Sequence, residues 1–283
     1  MSEPDSPKAG RISRFGNDGL TLDVRDSGPL DGEPVVLLHG FPQDSTAWDQ
    51  VVPVLHEAGL RTLAPDLRGY SPGARPTERK AYDLGVIAGD VLALLDTADL
   101  PSAHVVGHDW GGSLAWVVGG LHPSRVRSLV SVSTPHGGAM RKAFLRGAQA
   151  WRSWYMAFAQ LPGLPERALP AALPRLLTNT GLPEKAAEHY LSRMAEPGAL
   201  TAALNWYRAL PYSFRLDVPR CPVPTTYLWG RYDWALGRTA AEATAEFVAG
   251  PYRFVEVDGG HWLPETRALE VASAIVEQVT ATQ

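Results

Sequence analysis

VVGHDWGG, residues 105–112, is the stretch whose reading decides the fold. Two β-branched residues, Val105 and Val106, run into Gly107-His108-Asp109-Trp110-Gly111, and a small-residue helical run follows. Glycines two places before and two places after a central side chain suit a sharp strand-to-helix turn. Such a turn strains the central backbone and leaves that side chain exposed at the carboxyl edge of a sheet. The flanking positions carry almost no side chain because helix and strand pack closely there. Serine is the usual central residue. Here it is Asp109, which moves the expected chemistry from ester hydrolysis by an alkoxide towards carboxylate attack on an electrophilic carbon. Taken alone, Asp109 could instead cap the following helix, so its partners matter.

Working outward, Pro34 to His39 is a continuous apolar run of the kind buried on both faces of a parallel sheet. Arg61–Pro65, His104–Val106, Arg127–Val132, Pro222–Trp229 and Tyr252–Val257 read as further strands. Helical spacing fills most of the gaps, at Ser45–Ala58, Leu84–Ala98, Trp110–Leu121, Thr239–Ala249 and Pro264–Thr280. Near the N-terminus, Arg11–Phe15 and Leu20–Asp26 read as a hairpin turning at Gly16-Asn17-Asp18-Gly19. Alternating β and α segments predict an α/β fold with a doubly wound, mostly parallel sheet. The alternation stops between residues 137 and 216, which are rich in Ala, Leu, Pro and aromatics with no buried strand. That stretch is expected to be an inserted helical cap, or lid, over a core made of residues 1–136 and 217–283. Ligands of such sheets bind outside the strands' carboxyl ends, where Asp109 sits.

Composition narrows the function classes. The chain has 283 residues, 45% hydrophobic and 20% charged, as expected of a soluble globular domain. Its net charge of −4, with no basic stripe, gives no reason to expect a nucleic-acid partner. No run of about 18 apolar residues predicts a membrane span. The first ten residues are polar, with no secretory h-region. The single cysteine, Cys221, reads as a small core residue and fits a reducing compartment. A cytoplasmic location is the expectation, and a homodimer is left open.

A nucleophilic carboxylate needs a base for the second half-reaction and a third group to orient that base. His261 follows the last strand in Val257-Asp258-Gly259-Gly260-His261-Trp262, where two glycines let the imidazole swing back over the sheet. Asp233 follows the preceding strand in Gly230-Arg231-Tyr232-Asp233. The chain order nucleophile, acid, histidine is that of an α/β-hydrolase. Asp258 is a rival for the orienting role, but it lies too near His261 in sequence to reach its far nitrogen easily. His39-Gly40-Phe41-Pro42 ends the first parallel strand. Its turn can aim the Phe41 backbone N–H at a developing oxyanion, with the Trp110 N–H as second donor.

These motifs carry a family resemblance. HGFPQ at 39–43, DLRGY at 66–70, GHDWGG at 107–112 and VDGGHW at 257–262 resemble the epoxide hydrolases of the α/β-hydrolase fold. The resemblance runs from about residue 11 to the end of the chain. It implies a cis Phe41–Pro42 bond. It also implies a pair of cap tyrosines that hold the epoxide oxygen. Tyr207 lies in the Asn205-Trp206-Tyr207-Arg208 segment, and Tyr155 in a Y-x-x-x-x-Q-x-P-G pattern ending at Gly163. An alkoxide leaves poorly, and two neutral phenols of pKa about 10 can donate to it without being deprotonated by water. Tyr190 and Tyr212 read as structural. Trp234 is bulky for a turn beside the site, and His136-Gly137-Gly138 reads as a flexible lead into the cap.

The expected reaction is the opening of a small lipophilic epoxide to a vicinal diol through a covalent aspartyl ester, with no metal and no organic cofactor. Two alternatives stay open. A haloalkane dehalogenase would use the same triad, with the Trp110 indole on the halide and a second donor from Trp151, Trp154 or Trp206. A fluoroacetate-type dehalogenase fits less well, because those tend to place Arg where Trp110 stands. The second alternative is a hydrolase-fold protein that binds a ligand without turning it over.

Overall fold

The computed structural model describes residues 10–146 and 149–283. Strands β1 (Arg14–Asn17), β2 (Leu20–Ser27), β3 (Glu33–Leu38), β4 (Leu60–Pro65), β5 (Ala103–His108), β6 (Val126–Val132), β7 (Thr225–Gly230) and β8 (Tyr252–Val257) form an eight-stranded sheet. Their order is β1-β2-β4-β3-β5-β6-β7-β8. β1–β2 and β2–β4 pair antiparallel, and every pair from β4 to β8 is parallel. The strand order reverses between β3 and β5. The crevice outside the carboxyl ends of those two strands is therefore the topological switch point where ligands of open α/β sheets bind. β3 delivers His39–Phe41 to it, and β5 delivers Asp109.

The central strands are apolar runs because helices cover both sheet faces. All six residues of β4, β5 and β7 are buried. On one face lie α2 (Leu84–Thr97) and α3 (Trp110–Leu121), with Ile87, Val91, Leu95, Leu114 and Val118 in one core with Val36, Leu38 and Val105. On the other, α1 (Val52–Glu57) and the C-terminal helix pack Leu55, Val271 and Ile275 against Val35, Leu37 and Val106.

Several boundaries differ from the expectation, each for a local reason. The hairpin turns on Asp18-Gly19 alone. Both have positive φ (51° and 74°), the pattern of a two-residue turn whose twist matches its strands. The Ser45–Ala58 helix is two pieces, a 3₁₀ turn at Ser45–Trp48 and then α1. Pro53 lies in the first turn of α1, where its missing N–H costs nothing. Strand β7 begins after Pro222 and Pro224, which cannot donate to a ladder. The Thr239–Ala249 helix is shortened to α11 (Arg238–Ala243) plus a 3₁₀ turn, because Val248 leaves to bridge Cys221. Near the C-terminus, α12 (Leu263–Thr266) and α13 (Ala268–Thr280) are separated at Arg267, whose φ and ψ are −139° and 43°. Cys221 itself is buried, as expected.

Between β6 and β7 the described residues contain helices only. These are α4 (Gly137–Arg146), α5 (Gln149–Arg152), α6 (Trp154–Ala159), α7 (Leu164–Asn179), α8 (Glu184–Met194), α9 (Ala199–Arg208) and α10 (Leu210–Ser213). Helix α9 is fastened to the loop after β4, where the Trp206 indole N–H donates to the Arg68 carbonyl at 2.8 Å. Arg68 is itself held by a buried bidentate pair with Asp90, at 2.6 and 2.8 Å. Gln160 donates to the Tyr207 carbonyl and Arg208 to the Ala159 carbonyl, which locks the end of α6 against α9. Within His136-Gly137-Gly138 the first and third residues are packed, whereas Gly137 has open space where a Cβ would stand. His136 is buried and stacks on Phe247, and a Cβ on Gly138 would lie 2.2 Å from that ring.

No helix among the described residues is long and apolar enough to cross a membrane.

Candidate active site

Asp109 stands at the turn between β5 and α3 with φ 50° and ψ −119°, a region L-residues rarely occupy. Holding it there costs about 1–3 kcal/mol, which the surrounding packing must supply. The flanking glycines show why the packing can be so close. A Cβ on Gly107 would lie 2.1 Å from the Gly111 carbonyl oxygen, and one on Gly111 would lie 2.2 Å from that of Leu38. The carboxylate makes no cap bond to its own helix, which removes the capping alternative. Its side chain is 20% exposed and faces the switch-point crevice.

The Phe41 backbone N–H donates to Asp109 Oδ1 at 2.8 Å, and the Trp110 N–H adjoins the same carboxylate and helps to hold its pKa down. Phe41 and Pro42 are joined by a cis bond. The Phe41 amide therefore already points at an atom that would carry an oxyanion, with the Trp110 amide beside it. Burial raises the Asp109 pKa above its ordinary value, against the lowering effect of His261 and of these two amides.

His261 lies on the loop after β8, with Nε2 3.7 Å from Asp109 Oδ2 and Nδ1 2.9 Å from Asp233 Oδ2. Asp233 is fixed in turn, because its Oδ1 accepts from the Ala235 and Leu236 amides at 2.8 and 2.9 Å. Burial alone would lower the His261 pKa. The Asp233 carboxylate outweighs it, helped by Asp109 and Glu265, and raises the value to about 9. Asp258 is exposed and pairs with Arg231, so it does not compete for the imidazole.

Helices α6 and α9 bring Tyr155 and Tyr207 to the same crevice. Their rings meet edge-on at 6.0 Å, and Tyr207 also meets Trp110 at 5.0 Å and Phe41 at 5.5 Å. Burial, reinforced by the charge of Asp109, pushes both phenols above their ordinary pKa. Both therefore keep their protons at neutral pH.

The profile of the α/β hydrolase fold family matches residues 33–268. Over 309 aligned positions the chain is 32% identical to epoxide hydrolase A of Mycobacterium tuberculosis, covering 93% of this chain and 95% of that one. The chain belongs to the epoxide hydrolases of the α/β-hydrolase fold family. It is also 32% identical to the AB hydrolase superfamily protein YfhM of Bacillus subtilis, over 92% of this chain and 94% of its relative. The crystal structure of epoxide hydrolase A from Mycobacterium thermoresistibile superposes with a TM-score of 0.82 at 26% identity, covering 94% and 97% of the two chains.

Three site residues in this member of the epoxide hydrolases were not singled out by sequence reasoning. Gln43 Oε1 accepts from the Gly40 N–H at 2.7 Å, and His108 Nδ1 lies 2.9 Å from the same oxygen. Gln43 Nε2 donates to Glu265 Oε1 at 2.6 Å, and the Tyr190 hydroxyl donates there too. His108 Nε2 lies 2.9 Å from the His261 carbonyl. One buried network thus ties the Gly40–Phe41 turn to the His261 loop. Burial pushes Glu265 up to about 7, and its Oε2 has no partner among the described residues. The presence of Gln43 in HGFPQ and of Glu265 four residues after His261 was visible in the sequence. That the two touch across 222 positions was not.

Two apolar cavities of about 120 and about 80 Å³ reach the site and open to solvent at their mouths. Asp109, Tyr155 and Tyr207 line both. Trp234, bulky for its turn, forms part of the smaller cavity's wall between Tyr155 and His261.

Proposed function

We propose that this chain opens a lipophilic epoxide to a vicinal diol, with residues 137–216 acting as a cap over the α/β core. Asp109 attacks one oxirane carbon, forming a C–O ester bond as the ring C–O bond breaks. Tyr155 and Tyr207 hydrogen-bond the departing oxygen, and one of them gives it a proton. Esterification removes the Asp109 charge, one of the charges that hold the His261 pKa up. The imidazolium then releases its proton to the phenolate. Neutral His261, oriented by Asp233, takes a proton from water as the water attacks the ester carbonyl. The Phe41 and Trp110 amides hold the tetrahedral oxyanion. Its collapse returns the Asp109 carboxylate and the diol, so the sum is epoxide plus water.

The observation that carries this reading is the placement of two protonated phenols and one carboxylate on a shared crevice, with the cavities on either side apolar. A dehalogenase needs a second halide donor beside Trp110, and none of the three tryptophans is free for that role. The Trp206 indole N–H is committed to Arg68, and Trp151 and Trp154 are 85% and 61% exposed.

Single-turnover hydrolysis in heavy-oxygen water tests the mechanism. Label is expected in Asp109 before it accumulates in product. His261→Gln is expected to trap the substrate mass on a peptide containing Asp109. Direct incorporation of label into diol, with Asp109 unlabelled, would replace the ester mechanism by direct attack of water.

A further inference from the structure

Among the described residues, three of the five most exposed large apolar side chains lie in one short stretch of chain. They are Leu145 on α4, Trp151 on α5 and Trp154 on α6, at 88%, 85% and 61% exposure. These helices follow one another, and each touches the next. An indole left in water forgoes the burial of a large apolar ring. Exposures clustered in this way mark a surface that meets an apolar partner.

The same stretch is basic. From Gly137 to Pro165 the sequence holds Arg141, Lys142, Arg146 and Arg152 and no Asp or Glu, in a chain whose net charge is −4. Lys142 is neutralised by Glu246. Arg141 is exposed and makes no ion pair among the described residues, and its one polar contact is a 3.5 Å approach to the Phe214 carbonyl. Arg152 is exposed and donates to the carbonyls of Asp233 and Trp234. A second copy docked symmetrically here would set these cations against themselves, which disfavours self-association. An anionic bilayer satisfies both halves of the pattern. Tryptophan favours the headgroup level, with its ring against the acyl boundary and its N–H in the wet layer, and cations beside it meet lipid phosphates.

The face also adjoins the way into the site. Arg141 and Phe144 on α4 line the larger cavity, and the Trp154 ring lies 6.2 Å from that of Phe158, on the wall of the smaller one. We propose that Leu145, Trp151 and Trp154, with Arg141 and Arg152 beside them, dock this chain on the surface of an anionic phospholipid bilayer. The attachment is peripheral, because side chains of this reach enter only the interface. It sets the larger cavity beside the layer in which lipophilic molecules concentrate.

Flotation of the full chain with extruded vesicles tests this, using phosphatidylcholine alone and phosphatidylcholine mixed with phosphatidylglycerol. At low salt the partition coefficient is expected to be at least about tenfold higher on the anionic vesicles, since each cation near such a surface contributes about fivefold. It should fall towards the phosphatidylcholine level in molar salt. Trp151→Ser combined with Trp154→Ser should abolish flotation, and Arg141→Gln should lower the anionic preference about fivefold. Arg152 is left in place because it also holds the Asp233 turn. Leu269→Ser, which removes an exposed leucine on α13, should change nothing. All these variants should melt with the native chain, because none of the replaced side chains is buried. Lipids brominated on their acyl chains should quench part of the native tryptophan fluorescence, and less of it in the double variant. No flotation on anionic vesicles at low salt overturns the proposal, as does flotation undiminished in the double variant. Self-association that the double variant loses, without flotation, assigns the face to a second copy and overturns it too. Each of these outcomes leaves the epoxide-hydrolase reading untouched.

Discussion

His261 Nδ1 stands 2.9 Å from Asp233 Oδ2, whereas its Nε2 stands 3.7 Å from Asp109 Oδ2. The first is a hydrogen bond and the second is only an ion-pair distance. The imidazole is thus anchored to Asp233 and faces Asp109 without being bonded to it. In the proposed mechanism that arrangement suits a group that exchanges its proton with water and a phenolate and not with Asp109.

Replacing Asp233 by Asn removes the strongest charge holding His261 up. The His261 pKa, about 9 in the native chain, should fall to 6.5 or below, as read by imidazole NMR. A histidine with a raised folded pKa contributes stability that is complete below pH 6.5 and lost as pH rises through 9. The Asn variant should lack that loss. Ester hydrolysis should slow by about 10²–10⁴-fold, with ester accumulating in single turnovers. An unchanged His261 titration would mean that Asp233 does not set its charge.

Tyr155→Phe and Tyr207→Phe each delete one donor from the waist between the cavities. Each is expected to reduce the rate of ester formation by about 10²–10³-fold, the usual effect of losing one donor to a developing oxyanion. Ester hydrolysis should change little. Rapid-quench measurement of the two steps separates them. Slower hydrolysis with normal ester formation would assign the phenols to the wrong half-reaction.

Glu265 has a folded pKa of about 7, above the ordinary 4.5, because it is buried with one oxygen unpartnered. A carboxyl raised in this way contributes stability below pH 4.5 that is lost as pH climbs through 7. The full swing is on the order of 3 kcal/mol. The Glu265→Gln variant, whose amide is neutral at every pH, should therefore be more stable than the native chain at pH 8, by about 2 kcal/mol, and nearly equal to it at pH 4.5. Urea melts at the two pH values check this. A variant no more stable at pH 8 would show that Glu265 is ionised at little cost.

Gly40→Ala would place a Cβ 2.3 Å from the Asp109 Cβ. Either the turn or the elbow must move, at a cost of about 1–3 kcal/mol. Because Phe41 N–H is the next residue's donor, kcat should fall by at least about tenfold even where the variant folds. Retained activity with a normal melting temperature would show that the turn can yield without losing the oxyanion donor.

The elements that local chemistry dictates were legible in the sequence. Continuous apolar runs marked the buried strands, and the Gly107–Gly111 spacing marked the elbow. The order Asp109, Asp233, His261 puts three groups after the carboxyl ends of three parallel strands, β5, β7 and β8. These signals work because period, glycine spacing and strand order are properties of the chain itself. Helix breaks at Asp49–Val51 and Arg267 were not legible, because they depend on what the backbone meets in space. Tertiary structure alone decided that Gln43, His108 and Glu265 form one network, that Trp206 is committed to Arg68, and that two cavities meet at Asp109. Each of those facts joins residues tens to hundreds of positions apart, and such contacts exist only once the sheet and the inserted helices have packed around one another.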